Sequence, residues 1–161
     1  MSRLLGIVAL LATVGAKPAS AEERRYGLFI GANKGGSGDL PLRFAQRDAQ
    51  RLAETLGDIG GFSPEDVVVL KEPSADQVRS ALARLNAKIR SGTEPHRRAE
   101  GPSSASPASG TKPSGQPGAS LLFVFYSGHA DALSLHLGTT ILPWEELRNV
   151  TMGSSATARV L

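Results

Sequence analysis

Apolar residues along this chain alternate between short continuous runs and stripes spaced three and four residues apart, a pattern that predicts strands and helices in turn. RYGLFIG, from Arg25 to Gly31, is a β-rich apolar run stopped by glycine, as expected of a buried strand. Leu42, Ala45, Ala49, Leu52, Ala53 and Leu56 then share one face of an amphipathic helix closed by Gly57, with Arg47 and Asp48 off the stripe. Ser63 and Pro64 form a cap-and-first-turn pair ahead of Val67 to Leu70, which reads as a second buried strand. Ser74 stands three residues before Gln77, a capping box, and Val78, Leu82, Leu85 and Ile89 mark the buried face of a second helix. LLFVFY, Leu121 to Tyr126, carries no alternation and suits a central strand covered on both faces. Leu142 to Asn149 predicts a short helix with Trp144 and Leu147 inward, and Arg159 to Leu161 opens a fourth strand. Strand alternating with helix in this way predicts an α/β fold, with a mainly parallel sheet, helices on both faces and right-handed crossovers.

Two stretches stand outside this pattern. Residues 1–21, MSRLLGIVALLATVGAKPASA, have a basic start at Arg3, an apolar run from Leu4 to Ala16 and the small residues Ala19-Ser20-Ala21, which together read as a secretory signal peptide. Its apolar run of 13 residues is short of the roughly 20 that a membrane span needs, so an exported protein with no stable membrane anchor is expected. Cleavage after Ala21 removes Arg3 and Lys17 and no acidic residue, so the formal charge falls from +3 to +1 and no nucleic-acid partner is implied. The second stretch is Ser91 to Ser120, residues 91–120, where 17 of 30 residues are Ser, Gly or Pro and no large apolar side chain occurs; it reads as a disordered insertion. His96, Arg97 and Arg98 form a small basic cluster within it. The chain has no cysteine, so no disulfide supports it.

The chemistry candidates gather at strand ends, where α/β sheets bind their ligands. The glycine turn at residues 31–38 does not match GxGxxG, and Lys34 precedes its glycine pair where a phosphate-cradling loop ends in Gly-Lys-Ser/Thr, so nucleotide binding is weakly supported. Ser127, His129 and Asp131 suggest a Ser-His-Asp set, but the G-x-S-x-G elbow of a sheet-borne serine nucleophile is absent. His96, His129 and His136 lack metal-ligand spacing. Two readings of His129 stay open on the residues alone: a general base or acid serving a nucleophile from another strand end, or a histidine hydrogen-bonded in a turn.

Four segments in order, RYGLFIGANKG, LPLRFAQRDAQRLAETL, GGFSPEDVVVLKEPSADQVRSAL and FVFYSGHAD, resemble the caspase-like cysteine peptidases, in particular bacterial and metacaspase-type members. YSGH after an apolar strand is the most specific of these, and the resemblance covers Arg25 to Leu161 apart from the insertion. It implies the three-layer caspase-like (caspase-hemoglobinase) fold, incomplete at the C-terminus, in residues 22–161, and a cysteine-type endopeptidase acting on peptide or protein substrates without a cofactor. It also implies that His129 is the histidine of the Cys-His dyad, that the Gly128 backbone N–H helps bind the oxyanion, and that Asp48 and Ser127 line the pocket for the residue before the scissile bond. Acidic groups there favour Arg or Lys, whereas Arg43 and Arg47 nearby suggest an acidic preference, so specificity stays open. The chain departs from the family at Ala130, usually glycine, and in lacking the nucleophilic cysteine, which in the family follows the fourth strand in an Asp-Ala-Cys pattern. The expectation is a fragment, poorly stable and inactive by itself, with a non-catalytic peptide- or protein-binding relative as the rival.

Overall fold

The computed structural model describes residues 23–93 and 118–161; the expected signal peptide and most of the Ser/Gly/Pro-rich segment lie outside them. Four strands form one parallel sheet: β1 (Arg24–Gly31), β2 (Val67–Lys71), β3 (Ser120–Ser127) and the last strand, Ala158–Val160. Three shorter strands, β4 (His129–Ala130), β5 (Ser134–Leu137) and β6 (Thr140–Pro143), form an antiparallel meander, which makes the last strand β7. The helices are α1 (Ala45–Ile59), α2 (Ala75–Thr93) and α3 (Trp144–Met152). The order across the main sheet is β2-β1-β3-β7.

The sheet is sandwiched between helices because its strands are apolar on both faces. Tyr26, Leu28, Ile30, Leu122 and Val124 pack under α2 and α3 with Val78, Leu82, Leu85, Ile89 and Leu147. Phe29, Phe123, Phe125, Val67 and Val69 face the other way, against Ala49, Leu52, Ala53 and Leu56 of α1. Three rings, Phe29, Phe62 and Phe123, meet on this side with centroids 5.6–6.4 Å apart, a spacing that favours edge-to-face and tilted contacts. The result is a three-layer α/β arrangement. Its faces follow from handedness: the step from β1 to β2 and the longer step from β2 back over β1 to β3 run in opposite directions, so right-handed crossovers must use opposite faces.

The capping box closes reciprocally, Gln77 N–H donating to Ser74 Oγ at 3.3 Å and Ser74 N–H to Gln77 Oε1 at 2.8 Å. Other expectations shift. Helix α1 runs past Gly57 to Ile59 and is capped at Gly60, whose N–H donates to the Leu56 carbonyl, while Leu42 lies ahead of it and is exposed. β2 is an edge strand, half-buried rather than buried, since among the described residues only β1 pairs with it. Trp144 is 42% exposed, because it opens α3 at the helix end, and the buried face of the helix begins one turn on at Leu147 and continues to Thr151. At the edges of the Ser/Gly/Pro-rich segment, residues expected in a disordered stretch belong to regular elements: Ser91 to Thr93 finish α2, Ser120 opens β3, and Gly92 lets the helix pass over the Tyr26 hydroxyl, 3.1 Å from where a side chain would begin. No helix among the described residues is long and apolar enough to cross a membrane.

Candidate functional site

The connection leaving β1 goes to β2 on one side and the connection leaving β3 goes to β7 on the other, so the sheet switches direction between β1 and β3. A crevice forms at such a point outside the carboxyl ends of the strands. Those ends are Gly31 and Ser127, which are register partners, and Ala32 N–H donates across the gap to the Ser127 carbonyl at 2.9 Å. Gly31 is glycine for a steric reason: a Cβ there would lie 2.5 Å from the Gln46 Cα, so only a bare backbone lets the first turn of α1 sit on the strand end.

The loop between β1 and α1, residues 32–44, lies along this crevice. Its start is held by Glu72, whose carboxylate accepts the Asn33 N–H at 2.7 Å, the Lys34 N–H at 3.3 Å and a Gln46 side-chain N–H at 2.5 Å. Glu72 itself has φ of 50°, a left-handed conformation that a residue with a side chain adopts at some cost and that clusters at constrained sites. Farther on, the loop meets the meander. Gly138 N–H donates to the Lys34 carbonyl at 3.2 Å, and Gly36 N–H donates to the Asp39 carboxylate at 2.7 Å.

His129 follows β3 by two residues and opens β4. Its Nε2 lies 2.9 Å from the backbone carbonyl of Leu40 in the loop. A carbonyl oxygen only accepts, so Nε2 carries the proton and donates, and in the neutral ring Nδ1 is left with its lone pair free to take a proton. Directly across the β4–β5 ladder stands His136. Its Nδ1 lies 2.9 Å from Asp39 Oδ2 and its Nε2 3.1 Å from Asp131 Oδ2. The Asp39 hydrogen bond, then that of Asp131, raises the His136 pKa. Asp39 is lowered in return, by His136 first and then by the Gly36 N–H. Asp131 falls to about 2, chiefly through the Leu133 N–H, then His136 and the Ser134 N–H. Beneath the pair, the Tyr126 hydroxyl donates to the carbonyls of His129 and His136, at 2.7 and 2.9 Å. Burial, with the nearby charges of Glu72 and Asp39, pushes that phenol to about 12.

Of the residues singled out from the sequence, Ser127, Gly128 and His129 stand together at the end of β3. Asp48 lies on the same edge of the sheet, exposed in the first turn of α1, and among the described residues no hydrogen bond or ion pair joins it to Ser127 or His129. Arg47 lies over the Phe44 ring, its guanidinium carbon 4.7 Å from the centroid, and Arg43 is exposed. Gly128 has a packing reason to be glycine: a Cβ would crowd the Tyr126 hydroxyl and lie 2.5 Å from its Cζ. Ala130 pairs with Leu135 in the β4–β5 ladder and is not among the residues with positive φ, so a side chain there meets no backbone strain. Asp131 serves His136 and the turn after it, not His129.

Sequence reading missed His136, Asp39 and the Leu40 carbonyl. The signal for His136 was the meander itself, two short apolar runs, SLHL and TILP, separated by Gly138-Thr139, a hairpin pattern. Among the described residues no three His, Cys, Asp or Glu side chains are grouped to hold a metal ion. No family model matches this chain, and no curated protein matches it.

Proposed function

We propose that this chain is the histidine-bearing part of a caspase-like cysteine endopeptidase, with His129 as the general base and acid. The observation that carries the reading is the bond from His129 Nε2 to the Leu40 carbonyl, which leaves Nδ1 as the free basic nitrogen at a sheet switch point. A fixed tautomer oriented by a third group is what a thiol-activating imidazole requires. Asp48 and Ser127 on the same edge are its proposed specificity residues and the Gly128 N–H its proposed oxyanion donor.

The chain has no cysteine, so in this reading the thiol comes from a residue outside these 161. β7 runs parallel to β3 in one-to-one register, with Phe123 opposite Val160, toward the edge that bears His129. A residue following β7 in the same register would draw level with Ser127 about four positions beyond Val160. Among the described residues Val124 to Ser127 have no strand partner on that side, and a cleft of about 420 Å³ lined by Phe125, Tyr126, Ala130, Leu135 and Trp144 lies along them.

The test is made on the complete product of the native gene, with fluorogenic peptides carrying Arg, Lys or Asp before the scissile bond. Cleavage should depend on a free thiol and fall by at least about 100-fold in His129→Ala, the scale on which a lost general base is felt. A product without cysteine, or cleavage untouched by that substitution, would overturn the reading. The absence of cysteine favours a second reading, a non-catalytic relative that binds peptides, which predicts saturable peptide binding without turnover.

A further inference from the structure

The two histidines of the meander grip two adjacent residues of the same loop. His136 holds the Asp39 side chain, and His129 meets the carbonyl of Leu40, the next residue. Consecutive Cα atoms are fixed at about 3.8 Å, so neither contact can shift far without dragging the other. The histidines are equally coupled on their own side, as direct partners in the β4–β5 ladder whose carbonyls share the Tyr126 hydroxyl. Leu40 has no packing of its own to hold it, being 84% exposed. Its carbonyl position must therefore come from its neighbours.

We propose that His136 and Asp39 are positioning residues for His129: their ion pair sets the Leu40 carbonyl on His129 Nε2 and so selects the tautomer that leaves Nδ1 basic. The consequence for proton transfer rests on the proposed role of His129, but the positioning itself does not. The groups facing His136 are Asp39 from the loop, Asp131 from the turn after β4, His129 across the ladder on β4 and the apolar Ile141 opposite it on β6. Both carboxylates accept only, so a doubly protonated imidazole serves both, whereas a neutral ring has one N–H and serves one. The loop clasp is therefore complete while His136 is charged and weakens as pH rises through its raised pKa, when Asp131 competes with Asp39 for the remaining proton.

The experiment follows the His129 Nε2 proton by NMR in the whole chain labelled with ¹⁵N-histidine, reading its exchange with water. His136→Leu and Asp39→Ala should each speed that exchange about tenfold, the scale of one lost hydrogen bond. Asp131→Asn, which leaves the Asp39 contact in place, should change it less than about twofold. His136→Gln, which keeps an N–H donor in its side-chain amide, should restore part of the protection. In the wild type the exchange should quicken as pH rises through the His136 titration. Unchanged exchange in folded His136→Leu or Asp39→Ala protein overturns the proposal. Should His136→Leu fail to fold, Asp39→Ala decides, since it alters only a loop side chain. The readout needs no peptidase activity: protection lost in these variants with no thiol-dependent cleavage in the native product leaves the positioning intact and removes the peptidase reading, and the reverse pair of results does the opposite.

Discussion

The two ends of the sheet carry charge triads of opposite sign, and they do different work. At the amino end one carboxylate sits between two cations: Asp66 meets Arg24 through Nε at 2.6 Å and Lys88 through Nζ at 2.5 Å. At the carboxyl end one imidazole sits between two carboxylates, Asp39 and Asp131. Asp66 is 1% exposed, and burial would raise its pKa, but the hydrogen bonds from Arg24 and Lys88 outweigh that and hold it below the ordinary carboxylate range. Arg24 is raised in return, chiefly by its hydrogen bond to Asp66, and the three side chains tie β1, the 3₁₀ turn Pro64–Asp66 before β2, and α2 together. His136, with a side chain 22% exposed and a pKa raised by Asp39 and then Asp131, ties only a loop to a hairpin. Similar arithmetic of charge thus yields a permanent brace at one end and an adjustable clasp at the other, and the difference lies in burial and in which group stands in the middle.

The largest effect should come from breaking the brace. Asp66→Ala should cost about 2–3 kcal/mol in urea unfolding, toward the lower side for a broken buried pair because the half-exposed Arg24 and Lys88 can rehydrate. His136→Leu should cost clearly less, and equal losses would erase the contrast. Gly128→Ala comes next, at about 1–2 kcal/mol, because the new methyl must displace the Tyr126 ring. It should also loosen both histidine carbonyls, seen as faster amide exchange in β4 and β5, whereas a change confined to peptide turnover would mean the ring yields freely.

The smallest effect is the dependence on pH, and it separates the two ends. A raised His136 pKa gives stability that is fully present below the unfolded histidine value of about 6.5 and lost as pH rises through the folded value. The lowered carboxylates Asp39, Asp131 and Asp66 act oppositely: their contribution is present above the unfolded aspartate value and lost as pH falls through the folded values, about 2 for Asp131. Urea midpoints taken from pH 5 to 9 should therefore fall on the alkaline side in the wild type and in Asp66→Ala, and the His136 share of that fall should vanish in His136→Leu. A slope kept in full by His136→Leu would assign it to other groups.

What could be read from the chain was local. The Ser74–Gln77 box, the stripe Val78, Leu82, Leu85 and Ile89, and the order of the main-sheet strands and the helices depend on neighbours a few residues apart, and the structure carries each of them, while the β4–β6 meander, which takes Leu142 from the expected third helix, went unread. Val67 to Leu70 looked buried because a β-branched run has the same composition on an edge as in a centre; only the strand order makes it an edge. Trp144 looked inward because periodicity tells which residues share a face, not whether the first turn reaches the core. His136 stayed unremarkable because Asp39, the partner that gives it meaning, lies 97 residues earlier.

By itself, then, the sequence determined an α/β chain with strongly apolar strands and a histidine just beyond the third of them, because hydrophobic period and capping act over a few residues. The tertiary structure decided which strand is an edge, where the switch point falls and which atoms meet there. Leu40 contributes to the site through a backbone carbonyl that every residue possesses, and no pattern of side chains could have named it.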